Sequence, residues 1–114
     1  MNNKNYTFNI AVCEGRHDIP EATDGSIFPS TIPEDALTNP DRLEHHVIVW
    51  FLTHLLNTPE LKQAKSDSIQ INLYVTGLTV ATLAIVSVCH MYGFKLTCWH
   101  YNKETGSYYP QIMR

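Results

Sequence analysis

Three segments of this chain alternate apolar and polar residues with a period of two, and segments with helical spacing separate them. Tyr6-Thr-Phe-Asn-Ile-Ala-Val-Cys13, Ile69-Gln-Ile-Asn-Leu-Tyr-Val-Thr76 and Phe94-Lys-Leu-Thr-Cys-Trp-His-Tyr101 read as strands. The order strand, helix, strand, helix, strand implies right-handed crossovers and a parallel sheet of three. Ser107 to Ile112 follows a hairpin loop at Asn102–Gly106 and predicts an antiparallel edge strand, where Pro110 is tolerated. The expected architecture is a small Rossmann-like α/β domain. Its 114 residues, 44% of them apolar, suffice for one core and one domain spanning residues 1–114.

The helical segments carry their own punctuation. Asn39 is a cap candidate, Pro40 suits a first turn, and Leu43, Val47, Trp50, Phe51, His54 and Leu55 recur on one side. Leu78 to Tyr92 is apolar on nearly every side, and Gly93 is a natural stop. Such a helix has more apolar surface than one sheet face covers, which predicts a homodimer through helix 78–92.

Each strand has two unlike faces, whereas strands buried on both sides read as continuous apolar runs. Phe8, Ile10, Val12, Ile71, Leu73, Val75, Phe94, Leu96 and Cys98 make an apolar face for both helices. Asn9, Gln70, Asn72, Tyr74, Lys95, Thr97, Trp99 and Tyr101 make a polar and aromatic one. The stretch Glu14–Pro40 is longer than the roughly 12–15 residues of a neutral connector. Its Ile27, Phe28 and Ile32 suggest a lid, packed over the aromatic face.

Charge excludes some functions. Eight Lys and Arg against eleven Asp and Glu give −3, the wrong sign for double-stranded DNA or an anionic membrane. The N-terminus is polar, and the apolar run Val75–Met91 is interrupted and shorter than the ~20 residues of a span. No membrane contact and a cytoplasmic location are therefore expected. Cys13, Cys89 and Cys98 read as buried free thiols. Cys89-His90 and Cys98-x-His100 lack the paired spacing of structural zinc sites, so no metal and no cofactor is expected.

Ligands of open α/β sheets collect beyond the carboxyl ends of the parallel strands. There the first strand runs into Glu14-Gly15-Arg16-His17-Asp18, and the second into Thr76-Gly77-Leu78-Thr79 before a helix. A glycine lets the backbone approach a ligand, and a helix N-terminus offers N–H groups and a positive dipole end. Thr76 and Thr79 add hydroxyls, and Arg16 offers a bidentate grip on phosphate or carboxylate. The third strand delivers Tyr101, Asn102 and Lys103 to the same edge. An anionic or nucleotide-like small ligand fits this chemistry; a plain turn and a surface ion pair of Arg16 with Glu14 or Asp18 fit it too.

Val75-Thr76-Gly77-Leu78-Thr79, followed by an apolar helix, Gly93 and a further strand, resembles the ligand-binding half of CARF domains, the Rossmann-like sensors of cyclic oligoadenylate in CRISPR defence. The resemblance covers about Ile69 to Tyr101, with Leu78 where that family usually has a second glycine. It implies that Thr76, Gly77 and Thr79 contact a cyclic oligonucleotide signal across a dimer two-fold. It further implies a small sensor, a ring nuclease, or a phage or mobile-element protein that captures such a signal.

The catalytic candidate is His17, beside Glu14 and Asp18, as general acid or base. An enzyme built on it would be a metal-independent nuclease or hydrolase, but binding is the favoured reading. Two other classes remain open. One is a structural or protein-interaction module using the aromatic sheet face and helix 78–92. The other is a platform of Tyr74, Trp99 and Tyr101 with Lys95 for stacking single-stranded bases, against which the net acidity counts.

Overall fold

A computed structural model describes residues 4–15 and 18–113. Five strands form one mixed sheet in the spatial order β2-β1-β3-β4-β5. They are β1 Tyr6–Cys13, β2 Ser26–Phe28, β3 Ile69–Tyr74, β4 Lys95–Asn102 and β5 Ser107–Ile112. The helices are α1 Glu34–Leu37, α2 Pro40–His54, α3 Pro59–Gln63 and α4 Thr79–Tyr92.

The parallel part of the sheet has four strands, not the expected three: β2 pairs with β1, Ala11 beside Ser26 and Cys13 beside Phe28. Only β5 is antiparallel. The β2 strand arises inside the long segment after β1. The Ala11 N–H donates to the Gly25 carbonyl at 2.9 Å and the Glu14 N–H to that of Phe28 at 3.1 Å. Buried backbone groups of β1 thereby find partners that the helices do not supply. Three residues between Gly25 and Pro29 are too few to show a period of two, which is why pattern reading passes over them. Among its described residues the connection from β1 to β2 contains no helix, unlike a standard parallel crossover.

The core lies between one sheet face and the α2–α4 pair. Leu43, Val47 and Phe51 of α2 and Ala81, Ile85 and Val88 of α4 are buried with Ile10, Val12, Ile71, Leu73 and Leu96. The Phe51 ring meets Phe94 edge-on at 5.7 Å and Tyr92 at 6.1 Å. Local signals set the helix ends. The Asn39 side chain accepts from the Arg42 N–H, and Gly93 closes α4 at φ +78° with its N–H on the α4 carbonyls. Ile27 and Phe28 join this core, Phe28 stacking on His46 of α2 at 4.7 Å. They do not cover the aromatic face, because β2 extends the sheet and so places them under α2.

Two departures are small. His54 is exposed rather than inward, stacked on Trp50 with Nδ1 3.1 Å from that residue's carbonyl. At the far edge, the Met113 N–H donates to the Leu96 carbonyl. Hydrogen-bonded pairs alternate from there along the β4–β5 ladder, so Pro110, opposite Trp99, falls at a non-bonded position. Its missing N–H therefore faces outward from the sheet. Among the described residues no helix is long and apolar enough to cross a membrane.

Candidate functional site

The strand order reverses between β1 and β3. From β1 the chain moves to β2 on one side; from β3 it passes through α4 to β4 on the other. β1 and β3 are parallel neighbours, in register from Tyr6 beside Ile69 to Ala11 beside Tyr74, so their outgoing connections leave from one rim. Contact closes the pair: Cys13 Sγ lies 3.2 Å from Thr76 Oγ1, and both residues are buried. Crevices of this kind are where ligands of open α/β sheets bind.

The turn after β3 has the backbone that the sequence suggests. Gly77 has φ +88°, a region costly for side-chain-bearing residues, and a Cβ there would have no heavy atom within 4 Å. Thr79 is exposed in the first turn of α4. Leu78 occupies the cap position, and no side-chain cap bond satisfies the N-terminal N–H groups of α4. The Thr76 hydroxyl is buried against Cys13.

The remaining candidates divide. Glu14 is exposed directly after β1. Arg16 and His17 lie outside the described residues. Asp18 and Tyr101 line a cavity of about 520 Å³ together with Pro20, Glu21, Gly106 and Tyr108. Lys103 lies in the exposed hairpin loop beyond them. The Val75 N–H donates to the Trp99 carbonyl at 3.0 Å, so the β3–β4 ladder runs on toward Thr76 and Tyr101. Sequence reasoning passed over Glu21 and Tyr108. Tyr108 is recoverable from the hairpin, whose register sets it opposite Tyr101; Glu21 carries no local signal.

The sheet face away from the helices is an ordered polar surface. Asn72 Nδ2 donates to Asn9 Oδ1 at 3.0 Å, and Asn72 Oδ1 accepts from the Trp99 indole at 3.2 Å. Gln70 Nε2 donates to Thr97 Oγ1 at 3.1 Å. Tyr74 stacks on Trp99 at 6.1 Å and meets Tyr108 edge-on at 5.1 Å. Burial first, and the negative charge of Glu21 second, raise the Tyr74 and Tyr108 phenols above their usual pKa, keeping both neutral. Tyr74 is only 8% exposed. The expected three-ring stacking platform is therefore reduced to a half-buried Trp99 and an exposed Tyr101.

Of the remaining soft ligands, Cys89 and Cys98 are buried in the core, His90 is exposed and His100 is half-buried. Burial, then the neighbouring Cys98, pushes the Cys89 thiol up to about 12. His100 Nε2 lies 2.8 Å from Gln111 Oε1. Among the described residues no three His, Cys, Asp or Glu side chains converge as a metal site. No family model, no curated protein and no solved structure matches this chain.

Proposed function

We propose that this domain binds an anionic, nucleotide-like ligand at the rim shared by the ends of β1 and β3. The observation that carries the reading is the buried Cys13–Thr76 contact at the point of strand-order reversal. It sets the open Gly77 turn and the N-terminus of α4, which no side chain caps, beside Glu14 at the start of the connection after β1. A positive helix end with unpaired N–H groups favours phosphate or carboxylate. Arg16 supplies the counter-charge in this reading, and a cyclic oligonucleotide of the CARF type is one member of the ligand class.

The test is thermal stabilisation of the whole chain by a panel of mono-, di- and cyclic oligonucleotides. A ligand at one hundred times its Kd adds about 2.7 kcal/mol to stability. Arg16→Ala and Gly77→Val are each expected to abolish that shift. At Gly77 the penalty is the positive φ and not a clash, so the fold survives at a cost of about 1–2 kcal/mol. A panel without a single shift rejects the proposal.

A second reading has its own support. Val80, Leu83 and Met91 stay exposed on α4, with Leu83 and Met91 each 60% exposed, and Val49 and Leu52 are exposed on α2. An apolar groove of about 330 Å³ lies between Leu83 and Val86 of α4 and Phe94, Leu96 and Met113. This surface suits an interaction module or a homodimer through α4. Sedimentation of the wild type against Leu83→Glu tests it: a dimer that Leu83→Glu dissociates supports this surface, and a monomeric wild type removes the homodimer.

A further inference from the structure

The cavity between β4, β5 and residues 18–21 has chemistry opposite to that of the Gly77 turn. Its walls are the Tyr101 and Tyr108 rings, 5.3 Å apart at 64°, so two aromatic surfaces meet at an angle. Asp18 and Glu21 border the same space. Among the described residues the ion pairs are Lys4–Glu60 and Arg42–Asp35, so none of these cations neutralises Asp18 or Glu21. Glu21 lines the cavity with Tyr101 and Tyr108, and after burial its charge is the second cause that raises the Tyr74 and Tyr108 phenols.

The lining therefore offers carboxylate acceptors and ring faces, and both attract positive charge. A phosphate here would meet two carboxylates. A neutral sugar would find acceptors and a ring to stack on, but would leave both carboxylate charges uncompensated. Angled rings suit a rounded head better than a flat one. The size, about 520 Å³, falls in the usual range for small-molecule sites.

We infer that this cavity is a binding site for a small organic cation of the alkylated-ammonium class, held by Tyr101, Tyr108 and Glu21. It does not rest on the anion reading, and the two sites meet at Asp18. The ammonium head sits against the two phenol rings, with Glu21 and Asp18 supplying the opposite charge. No covalent step is involved.

The experiment is a calorimetric and NMR titration of the full-length chain with choline and with its uncharged carbon isostere dimethylbutanol, at low and at physiological salt. Choline is expected to bind about tenfold more tightly than the isostere, the size of a desolvated cation–π contact. Its affinity should fall as salt rises, and its signals should shift those of Tyr101 and Tyr108. Tyr101→Ala and Glu21→Gln should each weaken choline about fivefold or more, with Tyr101→Phe and the hairpin control Glu104→Gln unchanged. Tyr101 and Glu21 are exposed, so these variants fold, and unchanged melting confirms it. Equal binding of choline and isostere would overturn the inference, because the cavity would then be merely apolar. No binding of either, or binding seen only in Arg16→Ala, where the chain's own guanidinium is the occupant, would overturn it as well.

Discussion

The two faces of one sheet solve the burial problem in different ways. On the helix side, Ile10, Val12, Ile71 and Leu73 are sealed by α2 and α4, and stability comes from packing. On the opposite side the sheet carries Asn9, Asn72, Gln70, Thr97 and Trp99, tied by side-chain hydrogen bonds across three neighbouring strands. Nothing there needs a second layer of helices to stay folded. The first face holds the molecule together, and it is on the second, beside the 18–21 segment and the hairpin, that the proposed cation site lies.

The sharpest way to break this contrast is to cut one residue from each face. Phe51→Ala, which removes a fully buried ring from its contacts with Tyr92 and Phe94, is expected to cost about 3–5 kcal/mol in denaturant unfolding. Asn72→Ala leaves Asn9 and the Trp99 indole without their partner, in a half-exposed setting that water can reach. Its expected cost is about 0.5–1.5 kcal/mol. Equal losses from the two substitutions would mean that the open face is as structural as the core.

A smaller effect sharpens the same comparison through pH. The Cys89 thiol on the covered face is raised from 9.0 to about 12, so the folded state holds its proton more tightly than the unfolded chain. Its contribution is complete below pH 9 and is lost as pH climbs from there toward 12. Unfolding midpoints should be flat in this respect between pH 7 and about 8.5 and decline above that, with Cys89→Ala weakening the decline. The native thiol should also resist alkylation at pH 8, since it is the thiolate that reacts.

Much of this arrangement was legible in the residues. The bounds of β1 and β5, the Asn39 cap, the Gly93 stop and the two unlike sheet faces all follow from local pattern, because each depends on neighbours within one element. β2 was not legible, because three residues between a glycine and a proline acquire strand geometry only through the edge of β1. The short helices α1 and α3 give too few turns to show a period. For the site, Gly77 announced its turn, but the burial of the Thr76 hydroxyl against Cys13 depends on two strands pairing across a large part of the chain. The meeting of Glu21 with Tyr108 likewise belongs to topology and not to any motif.

Pro110 bears on how the molecule behaves in a crowd. With its ring turned outward on the last strand, it interrupts the row of donors that another copy would have to grip in order to lengthen the sheet. Ribbon-like stacking of copies through that border is disfavoured.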